Sequence, residues 1–316
     1  MRGIFSLTAL VLAVPGFAAD RYVDDAGSDT TNDCTTLATP CGTIAHALDE
    51  ADAGDTVHVD ASSYSTGGLS FKGSITIQGA GSASPQSLLV TGGGDVFNLE
   101  SASGTVTIQG FAIQHAGGDA FEFFLANDAA TLALSDIDAT LSGGQSYAGV
   151  NLYANTDDSL TLEVTNSTFT NYQTGVLAYA SYAEAMDVTL TNTTTTGTLM
   201  QGLYLSVSGN TADTTQQTDL SVQVDASNMA TDSDDALELY GETLGGLELI
   251  FNDNTFSAST SYSAVKIDFS NIRRIGIPNA MWRVWLNPRL SMWCSSGGGM
   301  RSLPFAVRTP IRRKRS

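Results

Sequence analysis

The chain has 316 residues, of which 42% are hydrophobic and 15% charged, and its formal net charge is −19. The charge is divided unevenly. All 33 acidic residues lie between Asp20 and Asp268, where only three basic residues oppose them, so that part carries −30. Residues 271–316 hold ten Lys or Arg and no acidic residue. Because so acidic a body repels nucleic acid and anionic lipid, we expect neither as a partner.

The N-terminus has the pattern of a secretory signal peptide, predicted over residues 1–18. Arg2 precedes an apolar run, and Gly16 and Ala18 stand at the −3 and −1 positions of a cleavage after residue 18. This run is too short for a membrane span, and no later stretch is apolar enough, so we expect no transmembrane segment. We expect export, with the protein secreted or at the cell surface, where outer-membrane association is one form of attachment.

Two cysteines lie close together in "DCTTLATPC". In an oxidising compartment Cys34 and Cys41 are near enough to form a disulfide that closes this loop, and two unpaired thiols are the alternative. Two sulfurs alone do not make a zinc site. Cys294 has no partner in this pattern.

A short helix and a strand follow in "CGTIAHALDEADAGDTVHV". Ile44, Ala47, Leu48 and Ala51 fall on one helical face, and Gly54 ends the helix before the strand 56–59. We interpret residues 19–68 as an N-terminal cap and first strand, since an open sheet edge must be covered.

From here the chain repeats itself up to residue 270. Blocks such as "TVTIQGFAI", "TLEVTNSTF" and "DVTLTNTTT" share one frame, with anchors 31, 26, 30, 26, 34 and 27 residues apart. Each unit has a second apolar block, as in "YAGVNLYA" and "TGVLAYA". Units this short bury their apolar faces only by stacking, which predicts an all-β solenoid of about seven parallel coils over residues 69–270. The anchors are Ile77, Ile108, Leu134, Val164, Leu190, Val224 and Phe251.

The entry segment resembles the right-handed parallel β-helix, or pectin-lyase-like, superfamily, and most resembles its exported surface members with polymorphic outer membrane protein-like repeats. Their pattern is "CxTIxxAxxxAxxGDTVxVxxGxY", and Ser63 replaces the usual glycine. The resemblance covers residues 21 to about 270. It implies the fold more than the function, because this superfamily includes lyases, hydrolases, epimerases, adhesins and spike proteins. The matching residues are Cys41, Thr43, Ile44, Ala47, Ala51, Gly54, Asp55, Thr56, Val57, Val59 and Tyr64.

A turn column directly after the first strand of each unit is rich in Gly, Asn and Asp. These residues accept left-handed backbone, so we predict a repeated left-handed bend whose polar side chains stack. The column is Gly110, Asp136, Asn166, Asn192, Ala226 and Asp253.

The catalytic elements of the superfamily are incomplete here. A pectate lyase-like site needs cations along a groove, and the acidic body offers only Arg21, Lys72 and Lys266. A polygalacturonase-like site needs paired carboxylates. "NTDDSL" and "DSDDAL" resemble its acidic elements but lie about three turns apart, and its Gly-His-Gly and Arg-Ile-Lys elements are missing. The candidate catalytic residues are Asp157, Asp158, Asp234 and Asp235.

The same acidic stretch has two other interpretations. Asp119 and Asp235 share an aligned column that Ala, Gly or Ser fills in other units, which favours a polar turn entering a strand. A calcium site from Asp232, Asp234 and Asp235 is the alternative, because oxygen-rich loops suit that ion. We expect no required cofactor, and calcium is the alternative.

Tyrosines cluster in the middle turns. On a flat sheet face they can stack on sugar rings or on another protein, or they can be ordinary β-surface residues. The candidates for carbohydrate contact are Tyr147, Tyr153, Tyr179 and Tyr204, and Tyr172 and Tyr182 belong to the same expected exposed cluster.

Residues 271–316 break the pattern. They hold all three tryptophans and four of the seven prolines, and the strand alternation ends. We interpret them as a basic non-repeat tail, either an anion- or membrane-binding segment or, preferably, the product of a shifted reading frame or a truncated gene. For the whole chain we favour a β-helix scaffold in adhesion, carbohydrate contact or envelope structure, with an extracellular polysaccharide or surface protein as partner. The alternative is a polysaccharide lyase or glycoside hydrolase.

Overall fold

A computed structural model describes residues 18–70, 73–84, 86–100, 104–125, 129–144, 146–155, 158–208, 218–242, 244–258, 262, 264–270, 295–296 and 299–300. The predicted signal peptide therefore lies outside the described residues, apart from its last residue.

The described elements are almost all strands. In chain order they are β1 (Asp20–Val23), α1 (Ile44–Asp49), β2 (Thr56–Val59), β3 (Ser63–Ser65), β4 (Ile75–Gln78), β5 (Ser87–Thr91), β6 (Phe97–Glu100), β7 (Gly104–His115), β8 (Phe121–Leu125), β9 (Ala130–Leu141), β10 (Ala148–Asn155), β11 (Leu160–Thr165), β12 (Thr168–Thr170), β13 (Thr174–Ser181), β14 (Ala185–Thr191), β15 (Thr194–Thr198), β16 (Leu203–Ser208), β17 (Thr218–Asp225), β18 (Asn228–Thr231), β19 (Leu237–Glu242), β20 (Leu244–Asn252), β21 (Thr255–Ser257), β22 (Val265–Ser270), β23 (Ser295–Ser296) and β24 (Gly299–Met300).

The strands form a parallel solenoid with three faces. The first face has the order β1-β2-β4-β7-β9-β11-β14-β17-β20, and β3, β5, β12, β15, β18 and β21 form the second face as part of the same 15-stranded sheet. The long strands β7 and β9 run through the corner between these two faces. The third face is a separate seven-stranded sheet, β22-β19-β16-β13-β10-β8-β6. Each coil contributes one strand to the third face, so the seven strands of that face correspond to about seven coils. The predicted all-β solenoid is therefore confirmed.

The interior consists of stacked apolar rows, because alternate side chains of each strand point inward. The seven repeat anchors are register partners from Ile77 through Phe251. Val164, Leu190 and Val224 are fully buried within this row. The second blocks form an equivalent row in the third face, from Phe121 through Val265.

The predicted bend column is confirmed at the corner between the first and second faces. All six residues of this column have positive φ, from 49° at Ala226 to 77° at Gly110. The Asn192 side-chain amide donates to Asn166 Oδ1 at 2.8 Å, so part of the column is a hydrogen-bonded ladder. The next residue in each coil turns inward, and the hydroxyls of Ser167 and Thr193 bond to backbone there. The corner thus satisfies its own buried polar groups.

The N-terminal cap also has the predicted form. Ile44, Ala47 and Leu48 of α1 are buried, and the Thr43 hydroxyl caps the helix by accepting from the His46 amide. The helix contacts β1 and β2, the first strands of the solenoid. A disulfide joins Cys34 to Cys41, whose Cα atoms are 5.1 Å apart.

One buried ion pair fixes the cap to the first coil. The Arg21 guanidinium lies 2.9 Å from Asp55 Oδ2 and also donates to the Asp33 carbonyl at 2.7 Å. Asp55 accepts from the Ala19 amide as well. Burial raises the pKa of Asp55, but these hydrogen bonds and the Arg21 charge outweigh it and lower the pKa below its ordinary value. The carboxylate therefore stays ionised inside the cap.

Within residues 271–316 the structure describes only β23 and β24, which pair antiparallel. The proposed change of reading frame in this tail, and the boundaries of the predicted segments, stay predictions.

Candidate functional site: the outer surface of the third face

The third face presents three outward rows, because the coils are in register; the third includes Ser181, Ser208 and Glu242. The first outer row is Asn98, Glu122, Asn151, Leu177, Tyr204, Glu238 and Lys266. The second outer row includes Phe124, Tyr153, Tyr179, Ser206, Tyr240 and Asp268. Each row runs along the solenoid axis with one residue per coil.

Four aromatic rings on this surface form a continuous line that we call the aromatic strip: Phe124, Tyr153, Tyr179 and Tyr204. The rings of Phe124 and Tyr153 are stacked with centroids 5.2 Å apart and planes 9° apart. Tyr153 and Tyr179 follow at 6.3 Å, and Tyr179 and Tyr204 at 5.5 Å, both tilted. Phe124 is 41% exposed and Tyr153 is 36% exposed, while the two other rings are half-buried. The strip spans four successive coils.

Amide and carboxylate side chains pair beside the strip. Asn98 donates to Glu122 at 2.8 Å, and Asn151 donates to Asp119 at 2.8 Å. Gln201 repeats the arrangement further along by donating to Glu238 at 2.8 Å. Planar groups of this kind offer both donors and acceptors. Because each is held by its partner, the pairs keep a fixed orientation next to the rings.

Burial and neighbouring charges shift the pKa values of Asp119 and Tyr179 on this surface. Burial raises the pKa of Asp119, although hydrogen bonds from the Ala148 amide and Asn151 pull it down. Burial also raises the pKa of Tyr179, and its hydrogen bond with Tyr204 and the nearby Glu238 carboxylate add to that effect. The Tyr179 hydroxyl therefore keeps its proton at neutral pH and can donate a hydrogen bond.

The acidic stretch that resembled a catalytic or calcium element lies at the end of the first outer row. Ligand atoms of Asp234, Asp235 and Glu238 lie within 4.8 Å of one another, and Asp232 does not belong to this group. The Lys266 ammonium contacts Glu238 and lies 3.9 Å from Asp235. Its hydrogen bond to Glu238 raises the Lys266 pKa. A protonated amine thus neutralises part of the cluster, and a calcium ion would compete with it.

The aligned column that contains Asp119 and Asp235 holds residues other than those we predicted. The register of the third face places Ala148, Thr174 and Gln201 between them, so Thr and Gln occur where we expected Gly or Ser. Thr174 and Gln201 are buried and hydrogen-bonded to each other at 3.4 Å. The reason is that the column faces the interior of a corner, where longer polar side chains satisfy the backbone and one another.

The candidate catalytic carboxylates that the structure describes do not all converge. Asp158 precedes β11 on the first face, whereas Asp234 and Asp235 precede β19 on the third face. Asp157 lies outside the described residues. The structure therefore brings Asp234 and Asp235 together but separates Asp158 from them.

The predicted tyrosine cluster divides into three groups. Tyr153, Tyr179 and Tyr204 lie in the strip, whereas Tyr147 and Tyr182 are exposed outside it. Tyr172 is fully buried, so its expected exposure was wrong. Its hydroxyl lies 2.6 Å from His115 Nε2 inside the solenoid, where the pair satisfies two polar groups.

Phe124 belongs to the strip although the sequence pattern did not single it out. The signal for it was the alternation in "FEFFL", which puts Phe121 and Phe123 inward and Phe124 outward once the block is aligned with Tyr153. The strand β6, which supplies Asn98, was missing from the aligned blocks as well.

These registers define the protein as a parallel β-solenoid. No family model and no curated protein matches the chain. Among solved structures, a chain described as rhamnogalacturonan lyase aligns at 9% identity, covering 80% of this chain and 69% of that chain with a TM-score of 0.34. So slight a similarity carries no argument about activity. Within the described part of the chain, no helix has the length and apolar character needed to cross a bilayer.

Proposed function

We propose that the protein is a secreted or cell-surface β-solenoid that binds a glycan chain along its third face. The aromatic strip carries this proposal. Its rings lie on successive coils, 5.2 to 6.3 Å apart, a spacing comparable to one sugar unit. Phe124 and Tyr153 stack on each other, so the strip presents ring edges and tyrosine hydroxyls outward. These apolar edges pack against the apolar faces of pyranose rings, and the hydroxyls remain available for hydrogen bonds.

The amide–carboxylate pairs supply the polar half of such a site. Sugar hydroxyls need both donors and acceptors, and Asn98, Asn151 and Gln201 with their carboxylate partners provide these beside the rings. A rigid, pre-oriented surface lowers the entropy cost of binding. The disulfide and the signal-like N-terminus support export of this surface to a place where glycans occur.

The chemistry of the described residues favours binding over cleavage. Lys266 is the only basic residue on the described third face, and its contact with Glu238 keeps it protonated, which makes it a poor general base. Glycoside hydrolysis requires two carboxylates flanking one bond. Asp158 and Asp235 lie on different faces, so they do not meet that requirement.

A panel of oligosaccharides tests the proposal, with each binding titration followed by an assay for new reducing or unsaturated ends. Replacing one ring by Tyr153→Ala is expected to weaken binding by about 1 kcal/mol, or roughly fivefold. The control Tyr22→Ala removes a ring from the first face, where Tyr22 stacks on His58, and is expected to leave affinity unchanged. Cleavage of any glycan, or equal losses in both variants, would contradict the proposal.

A further inference from the structure

We propose that the basic tail, residues 271–316, covers the open C-terminal end of the solenoid and forms its second cap. This inference is independent of the proposed glycan site, because it concerns the axial end of the solenoid and not the outer surface of the third face. Of the two interpretations of the tail, it takes the anion-binding one, and the anion is the acidic body of the same chain.

The last described coil has an open edge on each of its three faces. The strands β20, β21 and β22 each stand at the end of their sheet, so each has one edge without a partner among the described strands. At the opposite end of the solenoid, α1 contacts β1 and β2 and covers the first coil. Uncovered edges recruit strands of other chains. The C-terminal end therefore requires a cover as well.

The inward side chains of this last coil indicate where the cover lies. Val265 and Ile267 of β22 are only 4% and 2% exposed, although no described strand pairs with the outer edge of β22. The strand β23, a described part of the tail, lies against β22. On the other two faces Leu247 and Phe256 pack against the core but stay half-buried. The tail therefore reaches this end of the solenoid, and apolar surface remains there for it to cover.

The composition of the tail complements this surface. The tail holds ten basic residues and no acidic one, whereas residues 20–268 carry −30. Asp268 points outward on β22 and Glu248 is exposed on β20, so carboxylates border the open end. Arginine pairs with carboxylates, and tryptophan buries a large apolar area. Because the tail also holds all three tryptophans, charge attracts it to the body and apolar burial favours the uncovered end.

Tryptophan fluorescence of the whole chain tests the proposal, because Trp282, Trp285 and Trp293 report on the tail alone. In about 50 mM salt we expect blue-shifted emission and weak quenching by acrylamide, both independent of protein concentration. Raising the salt to about 500 mM should increase the quenching constant roughly twofold, because screening weakens the charge attraction. The circular dichroism spectrum of the solenoid should stay the same.

Two double variants locate the contact. Glu248→Gln with Asp268→Asn removes two carboxylates at the C-terminal end, and we expect the quenching constant at low salt to rise roughly 1.5-fold to twofold. Asp49→Asn with Glu50→Gln changes the net charge equally at the N-terminal cap, where both side chains are exposed. This matched control should leave quenching unchanged.

Three results would overturn the proposal. Strong quenching at low salt would show that the tryptophans are open to solvent. Equal effects of the two double variants would attribute the attraction to overall charge, without a specific contact at the open end. Loss of shielding on dilution would identify a second copy of the chain as the occupant in place of the tail of the same chain.

Discussion

Ala226 is the one residue of the bend column that should be improved by substitution. Its φ is 49°, in the left-handed region, where an alanine side chain is unfavourable, and four of the other five positions hold Asn or Asp. Ala226→Asn should gain about 1 kcal/mol from this preference, because Asn tolerates left-handed backbone. Ala226 is exposed and lies beside Asn192 in the ladder, so the new amide can add a hydrogen bond worth about 0.5 kcal/mol.

Thermal denaturation followed by circular dichroism measures the effect. A gain of about 1.5 kcal/mol in a body of this size corresponds to an increase in Tm of about 3 to 6 °C. Asn192→Ala should lower Tm by a similar amount, because it breaks the bond to Asn166 and leaves alanine in the left-handed bend. Ala133→Asn, in the extended strand β9, is the control and should be slightly destabilising. A fall in Tm for Ala226→Asn, equal to that of the control, would refute the bend column as the source of stability.

Four further outcomes follow from buried groups and close packing. Asp55→Asn should lower the free energy of unfolding by about 3 kcal/mol, because it leaves the buried Arg21 charge without its partner. Burial lowers the pKa of His115 below its value in the unfolded chain. As pH falls below about 6.5, His115 is therefore protonated in the unfolded chain before it is protonated in the folded protein. The free energy of unfolding, measured by urea titration, should then decrease below this pH and stay constant above it. Tyr172→Phe should cost about 1 to 3 kcal/mol at neutral pH, since it leaves the His115 ring nitrogen unsatisfied. Gly143→Ala should prevent correct stacking of its loop, because a Cβ there would overlap a backbone oxygen of the neighbouring coil, and chymotryptic digestion should then cleave the protein faster.

Matched substitutions check these outcomes. Asp20→Asn removes an exposed carboxylate that faces His58 and should change stability little. A Cβ at Gly92 meets no atom within 4 Å, so Gly92→Ala should be tolerated. Large effects in these controls would contradict the assignment of the losses to burial and close packing.

The local sequence pattern was sufficient to predict the buried apolar rows and the left-handed bend column. Alternation fixes which side chains point inward, and the recurring anchors fix which strands are neighbours, so Val164, Leu190 and Val224 could be placed in one buried row from the sequence alone. Asn166 and Asn192 were predictable because few residues accept left-handed backbone.

Corners were harder to predict, because alternation stops where the strands end. Tyr172 lies in such a corner, and its partner His115 is 57 residues away, so no local feature indicates that its ring turns inward. The pairing of Lys266 with Glu238 could have been predicted, because aligning "DALELYG" with "YSAVKIDF" puts these two residues in one column. The aromatic strip required both register and exposure, and sequence alignment supplies only the first.

A crystal structure of the protein with an oligosaccharide that it binds tests the central claim most directly. The glycan should lie along the solenoid axis against the outward edges of Phe124, Tyr153 and Tyr179. A glycan bound on another face, or one cleaved beside Asp234 and Asp235, would contradict it.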